Sequence, residues 1–181
     1  MSRYVDALAE YRRKYIPGGP EVLLQLGDNG AREAFRLYRV DLASGATAPP
    51  NLTEVNLASI PQFPPERSSF GSGLEVVVEP FHWNGVEFLV EGIGLEEAVL
   101  ANWCKEWIDV DETHEPDIHG LIGAIHSMTA PEHRDNGVFF SVDFGSAPVE
   151  AVTSLLHLLS SIGAQKVRIG SGWAVNGRGD G

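Results

Sequence analysis

Basic residues are scarce in this chain: 13 Lys and Arg stand against 25 Asp and Glu, a formal net charge of −12. A general binder of DNA or RNA needs a positive footprint for the phosphate backbone, so nucleic acid is not an expected partner. Cysteine is nearly absent as well. Cys104 alone supports neither an intramolecular disulfide framework nor a cysteine-based zinc or iron–sulfur site. No apolar run approaches the roughly 20 residues of a membrane span. The first residues, Met1-Ser2-Arg3-Tyr4-Val5-Asp6, lack the apolar core of a signal peptide, and a cytoplasmic, bacterial-type protein is expected. No GxGxxG or phosphate-loop pattern occurs, so no cofactor is expected.

What remains is a 181-residue chain, 43% hydrophobic, long enough for one domain with its own core. The acid is unevenly placed. Residues 1–39 hold 7 bases and 5 acids, and the other 20 acids follow with only 6 bases.

The pattern divides a single domain, 1–181, into four stretches. In 1–43, Tyr4, Leu8, Tyr11 and Tyr15 recur at helical spacing over 2–15. A hairpin follows over 21–42 around Asp28-Asn29-Gly30, with Leu37 and Arg39 on one face of its return strand; residues 31–36 form either part of that strand or a helical turn. Residues 44–73 carry five of the eleven prolines and read as an extended arm packed by Leu57, Ile60 and Phe63. Residues 74–109 form a first β-β-α unit: a strand at Leu74–Phe81, a turn at Asn84-Gly85, a strand at Val86–Glu91 and a helix over Leu95–Asp109. Residues 121–170 form a second, with strands at Leu121–Met128 and Val138–Phe144 about Asp135-Asn136-Gly137, a helix at Ala147–Ile162 and a final strand at Lys166–Gly170.

The two units repeat one another. Asn84–Glu91 aligns with Asn136–Asp143, with five of eight positions identical, and with one residue inserted Glu97-Ala98-Val99 falls on Glu150-Ala151-Val152. The expected fold class is α+β, a two-layer structure with an antiparallel sheet and helices on one face, built from tandem β-β-α units. The alternative takes 86–170 alone and is the element order of a ferredoxin-like split βαβ.

Several motif look-alikes fail on their own terms. Asp109-x-Asp111-x-Thr113 is not a calcium loop, because His114 stands where the sharp turn needs Gly and Gly120 where the last acid belongs. Cys104 lies between Trp103 and Trp107 with no histidine close in sequence, which fits a structural thiol. Gly71-Ser72-Gly73 and Gly170-Ser171-Gly172 lack the outer glycines of a nucleophile elbow.

Two functional expectations follow. The first is a non-enzymatic protein-binding module, immunity-type or regulatory, that recognises a basic protein. Its contacts would be the acidic hairpin Glu75, Glu79, Glu87 and Glu91, an exposed Trp83 at the hairpin tip, and Asp111, Glu112 and Glu115 in a segment with six acids over 106–117. The second is a small-molecule or metal-dependent enzyme, with Asp109, Asp111, His114 and His119 as candidate ligands.

Overall fold

The computed structural model describes residues 6–10, 13, 21–25, 33–40, 42–44, 51–53, 62–92 and 94–173. The centre of the molecule is a seven-stranded, mostly antiparallel sheet. Its strands are β5 (Glu66–Phe70), β6 (Leu74–Val78), β7 (Val86–Glu91), β8 (Ser127–Met128), β9 (Glu132–Arg134), β10 (Gly137–Asp143) and β11 (Lys166–Gly170). Two helices, α1 (Glu97–Trp107) and α2 (Val149–Ser161), follow β7 and β10. The order across the sheet is β5-β6-β11-β7-β10-β8, with β9 also on β10. Two small ribbons precede it: β1 (Val22–Gln25) with β2 (Leu37–Val40), and β3 (Leu42–Ser44) with β4 (Asn51–Thr53).

The strand alternation explains why both helices lie on one face. Val86, Phe88 and Val90 of β7, Val138, Phe140 and Val142 of β10, and Val167 and Ile169 of β11 share a core with Leu100, Trp103 and Cys104 of α1 and Leu155, Leu156 and Leu159 of α2. The α+β class and the antiparallel sheet are therefore as expected.

The unit of assembly is not. The β6 and β7 strands do not pair. The β11 strand lies between them, parallel to β6 and antiparallel to β7. The order β11-β7-β10-β8 is that of the split βαβ alternative, with the β5–β6 hairpin added at one edge. A two-residue hairpin about Asn84-Gly85 therefore does not form between β6 and β7. The Glu79–Gly85 segment instead passes over the end of β11, and Asn84-Gly85 sits in a turn closed by Gly85 N–H to His82 O at 3.1 Å. The second turn is a true hairpin. Arg134 pairs Gly137 across Asp135-Asn136. Gly137, at φ +144°, brings its backbone so close to Val90 O that a Cβ would lie 2.2 Å from it.

The two similar segments thus each contribute a strand and the helix that follows it. They meet in the middle of the sheet, where Phe88 lies opposite its own counterpart Phe140. Their rings stack at 5.1 Å with an 11° interplanar angle. Such an aromatic cross-strand pair is a reason for both segments to carry phenylalanine there.

In the N-terminal region, 6–10 are helical and Leu8 is fully buried; Tyr4, Tyr11, Tyr15, the Asp28-Asn29-Gly30 turn, Leu57 and Ile60 lie outside the described residues. Glu33–Arg36 is a 3-10 turn, so the return strand starts at Leu37. Phe63 is half-buried.

Candidate functional site

The β1–β2 ribbon carries two charged residues inward. Glu21, which immediately precedes β1, is 3% exposed and Arg39 is 2% exposed. Each grips one end of the segment joining α1 to β8.

Arg39 holds the outgoing end. Its Nε and Nη2 donate to Ile108 O at 3.1 and 2.9 Å, and Nη2 also donates to Asp109 O at 3.0 Å. These carbonyls belong to the C-terminal turn of α1, where helical partners run out and a cation is favoured. Burial pushes the Arg39 guanidinium below its ordinary pKa, and the charges of Glu21, Asp109 and Glu112 oppose that shift. It stays protonated, as guanidinium does in proteins.

Glu21 holds the returning end. Its Oε2 accepts from Ile122 N at 3.2 Å and from Ser146 Oγ at 2.9 Å. Ser146 Oγ in turn accepts the Gly123 and Ala124 amides at 3.1 and 3.2 Å. Ser146 does not cap the helix that follows; Pro148 stands at the α2 N-cap. The other Glu21 oxygen is 3.5 Å from Nε2 of fully buried His126. The His126 backbone bridges the ribbon to the sheet, accepting from Arg39 N at 2.7 Å and donating to Asp143 O at 2.8 Å.

Between these grips the chain turns outward. Asp109 is buried at φ +55°, and its carboxylate accepts Thr113 N at 2.8 Å, Thr113 Oγ1 at 2.9 Å and His114 N at 3.1 Å. Burial raises the Asp109 pKa, but the hydrogen bonds from Thr113 and His114 outweigh it and leave the carboxyl below its ordinary value. A depressed folded-state pKa contributes stability that is present above the unfolded value and lost as pH falls through the folded one. The Thr113 amide resonance should therefore titrate with a midpoint below about 3.9, the unperturbed Asp value. A midpoint at or above that value contradicts this account of the turn.

Residues 111–119 are all exposed. Asp117 closes the tip: its Oδ1 accepts His119 N at 2.7 Å and Leu121 N at 2.9 Å, and its own N–H donates to Leu121 O at 2.8 Å. Ile118 at that tip is 95% exposed. Among the described residues no cation stands within ion-pair distance of Asp111, Glu112 or Glu115.

The acidic hairpin has a different fate. Glu75 pairs with Arg67 at 3.5 Å, Glu79 with Arg168 at 2.6 Å and Glu91 with Lys166 at 3.4 Å. Buried Glu87 accepts from Trp173 N, and Trp173 Nε1 donates to Glu79 Oε2 at 3.2 Å. Insertion of β11 supplies Lys166 and Arg168, so this charge is largely answered within the fold. Trp83 is not at an exposed hairpin tip. It is only 6% exposed, its indole donates to Gly145 O at 3.1 Å and its ring lies 4.8 Å from Phe144, so it is a core residue rather than an exposed anchor.

The metal expectation finds no convergent set. The Asp109 carboxylate is taken up by the turn, and His114 Nδ1 lies 3.1 Å from Ile122 O. Among the described residues no three His, Cys, Asp or Glu side chains gather as metal ligands. Cys104 is fully buried, lies 3.4 Å from Ala34 O and has its pKa pushed up to about 12 by burial, against the opposing charge of Lys105; it is not poised as a nucleophile. No described helix is long and apolar enough to cross a membrane. Comparison with protein-family models, curated proteins and solved structures gave no match.

Glu21, Arg39, His126 and Ser146 were not among the candidate site residues expected from sequence. Arg39 alone left a trace, sharing a strand face with Leu37.

Proposed function

We propose that this protein is a non-enzymatic binding module, of immunity or regulatory type in a bacterial-type cytoplasm, that docks a basic protein partner on the loop 111–119. The observation that carries the reading is the contrast within the acid. The hairpin glutamates have cations or N–H donors inside the fold, whereas Asp111, Glu112 and Glu115 face solvent beside a bare Ile118. Charges of one sign on a protruding loop steer a basic partner and speed its encounter. An exposed isoleucine at the tip adds an apolar contact. The grips of Arg39 and Glu21 reduce the entropy that the loop must lose on docking.

A photo-reactive amino acid at position 118 tests this in cells of the source organism. Adducts should form with a protein rich in Lys and Arg, and should disappear when Asp111, Glu112 and Glu115 are all changed to Lys. Absence of adducts, or adducts only with acidic proteins, contradicts the proposal.

A further inference from the structure

The β5–β6 hairpin widens the sheet beyond what α2 covers. The result is an apolar cleft of about 200 Å³ on the helix side. Val76 and Val78 of β6 and Ile169 of β11 form its floor, and Val152 and Leu156 of α2 its wall. Phe70 and Phe81 close the sides, and exposed Ser68 supplies its hydroxyl-bearing edge. Phe70 is steadied by the His157 ring at 4.7 Å.

We infer that this cleft is a binding site for a small, uncharged, apolar molecule: a single aromatic ring or a short branched alkyl group, with at most one polar atom directed at Ser68. The lining dictates the class. It contains no ionisable side chain, so a charged guest would lose its hydration without a counter-charge. Water fares poorly as well, because it seeks two to four polar partners and the lining side chains offer one hydroxyl. Phe70, Val78, Phe81 and Val152 are only half-buried, and a guest would remove their apolar surface from water. Size sets the upper limit. An apolar cavity of about 150 Å³ accepts benzene, while drug-sized ligands use about 300 Å³ or more.

Amide NMR titration of the full chain with toluene, benzyl alcohol and benzoate tests the site. Toluene and benzyl alcohol should give saturable shifts at Phe70, Val78 and Val152 with Kd about 1 mM or tighter, and benzoate should bind about tenfold more weakly or less. Val152→Phe fills the cleft from the helix and should abolish the shifts. Ser68→Leu does so from an exposed edge strand and covers the case in which the first variant fails to fold. The inference is overturned if the wild type shows no saturable shift there, if benzoate binds as tightly as toluene, or if a folded filling variant binds unchanged. It is also overturned if the cleft resonances follow protein concentration without any probe, since a second copy then occupies the cleft.

Discussion

Replacing Arg39 with Met should destabilise the protein by about 3–6 kcal/mol, the loss of charge-assisted hydrogen bonds to two buried carbonyls at about 1.5–3 kcal/mol each. The side chain makes no surface contact that solvent could replace. Its loss strands the Ile108 and Asp109 carbonyls at the α1 C-terminus and removes a positive charge whose field reaches Glu21. Against a total stability of about 5–15 kcal/mol this is a large fraction. The melting temperature should fall by about 10 °C. Arg39→Lys should recover only part, because a single ammonium cannot reproduce a fork that reaches two carbonyls at once. Urea unfolding measures the global effect. Amide exchange at 109–114 measures the local one, which should exceed that in the sheet. Stability of Arg39→Met within about 1 kcal/mol of wild type, the range of ordinary surface changes, contradicts this role.

Gly145→Ala should cost about 3 kcal/mol or more. The residue sits at φ +45°, and an added Cβ would lie 2.0 Å from His126 Cδ2 and 2.4 Å from Cγ. The His126 ring is fully buried and its backbone is bonded on both sides, so it has nowhere to move. Gly123→Ala separates the two causes. Gly123 also has positive φ, +73°, but its Cβ would meet only Pro148 Cδ at 3.9 Å. It should cost only the backbone term, about 1 kcal/mol. Equal effects at the two positions would show that the His126 contact contributes nothing.

These two predictions rest on residues whose importance is hard to see in sequence. Glu21 and Arg39 are isolated charges in short strands, and their partners Ile108, Ile122 and Ser146 lie 69–125 residues away. No local periodicity encodes such contacts. Arg39 left a weak trace because it shares a strand face with Leu37 in an otherwise apolar strand, which is unusual for an arginine facing water. The sheet was more legible. The Asn-Gly repeat and the alternation of Val and Phe identify β7 and β10, and the helical stripes identify α1 and α2. The pairing of β11 between β6 and β7 was not legible, because a five-residue strand arriving from the far end of the chain has no local signature.

The same insertion divides the acid into two classes. Lys166 and Arg168 arrive on β11 and answer Glu91 and Glu79, which removes much of the hairpin's pull on a partner. Half-exposed pairs of this kind add little stability, so their main consequence is electrostatic. The loop 111–119 keeps its charge.

The most direct test of that account is the affinity of the partner cross-linked from position 118, measured against salt for the wild type and the Asp111→Lys, Glu112→Lys, Glu115→Lys variant. The wild type should weaken about tenfold or more between about 0.05 and about 0.2 M salt, as exposed charges are screened. The variant should bind at least about 100-fold more weakly at the lower salt, with the gap narrowing at the higher. Equal affinity of the two proteins, or no dependence on salt, contradicts a charge-steered docking loop.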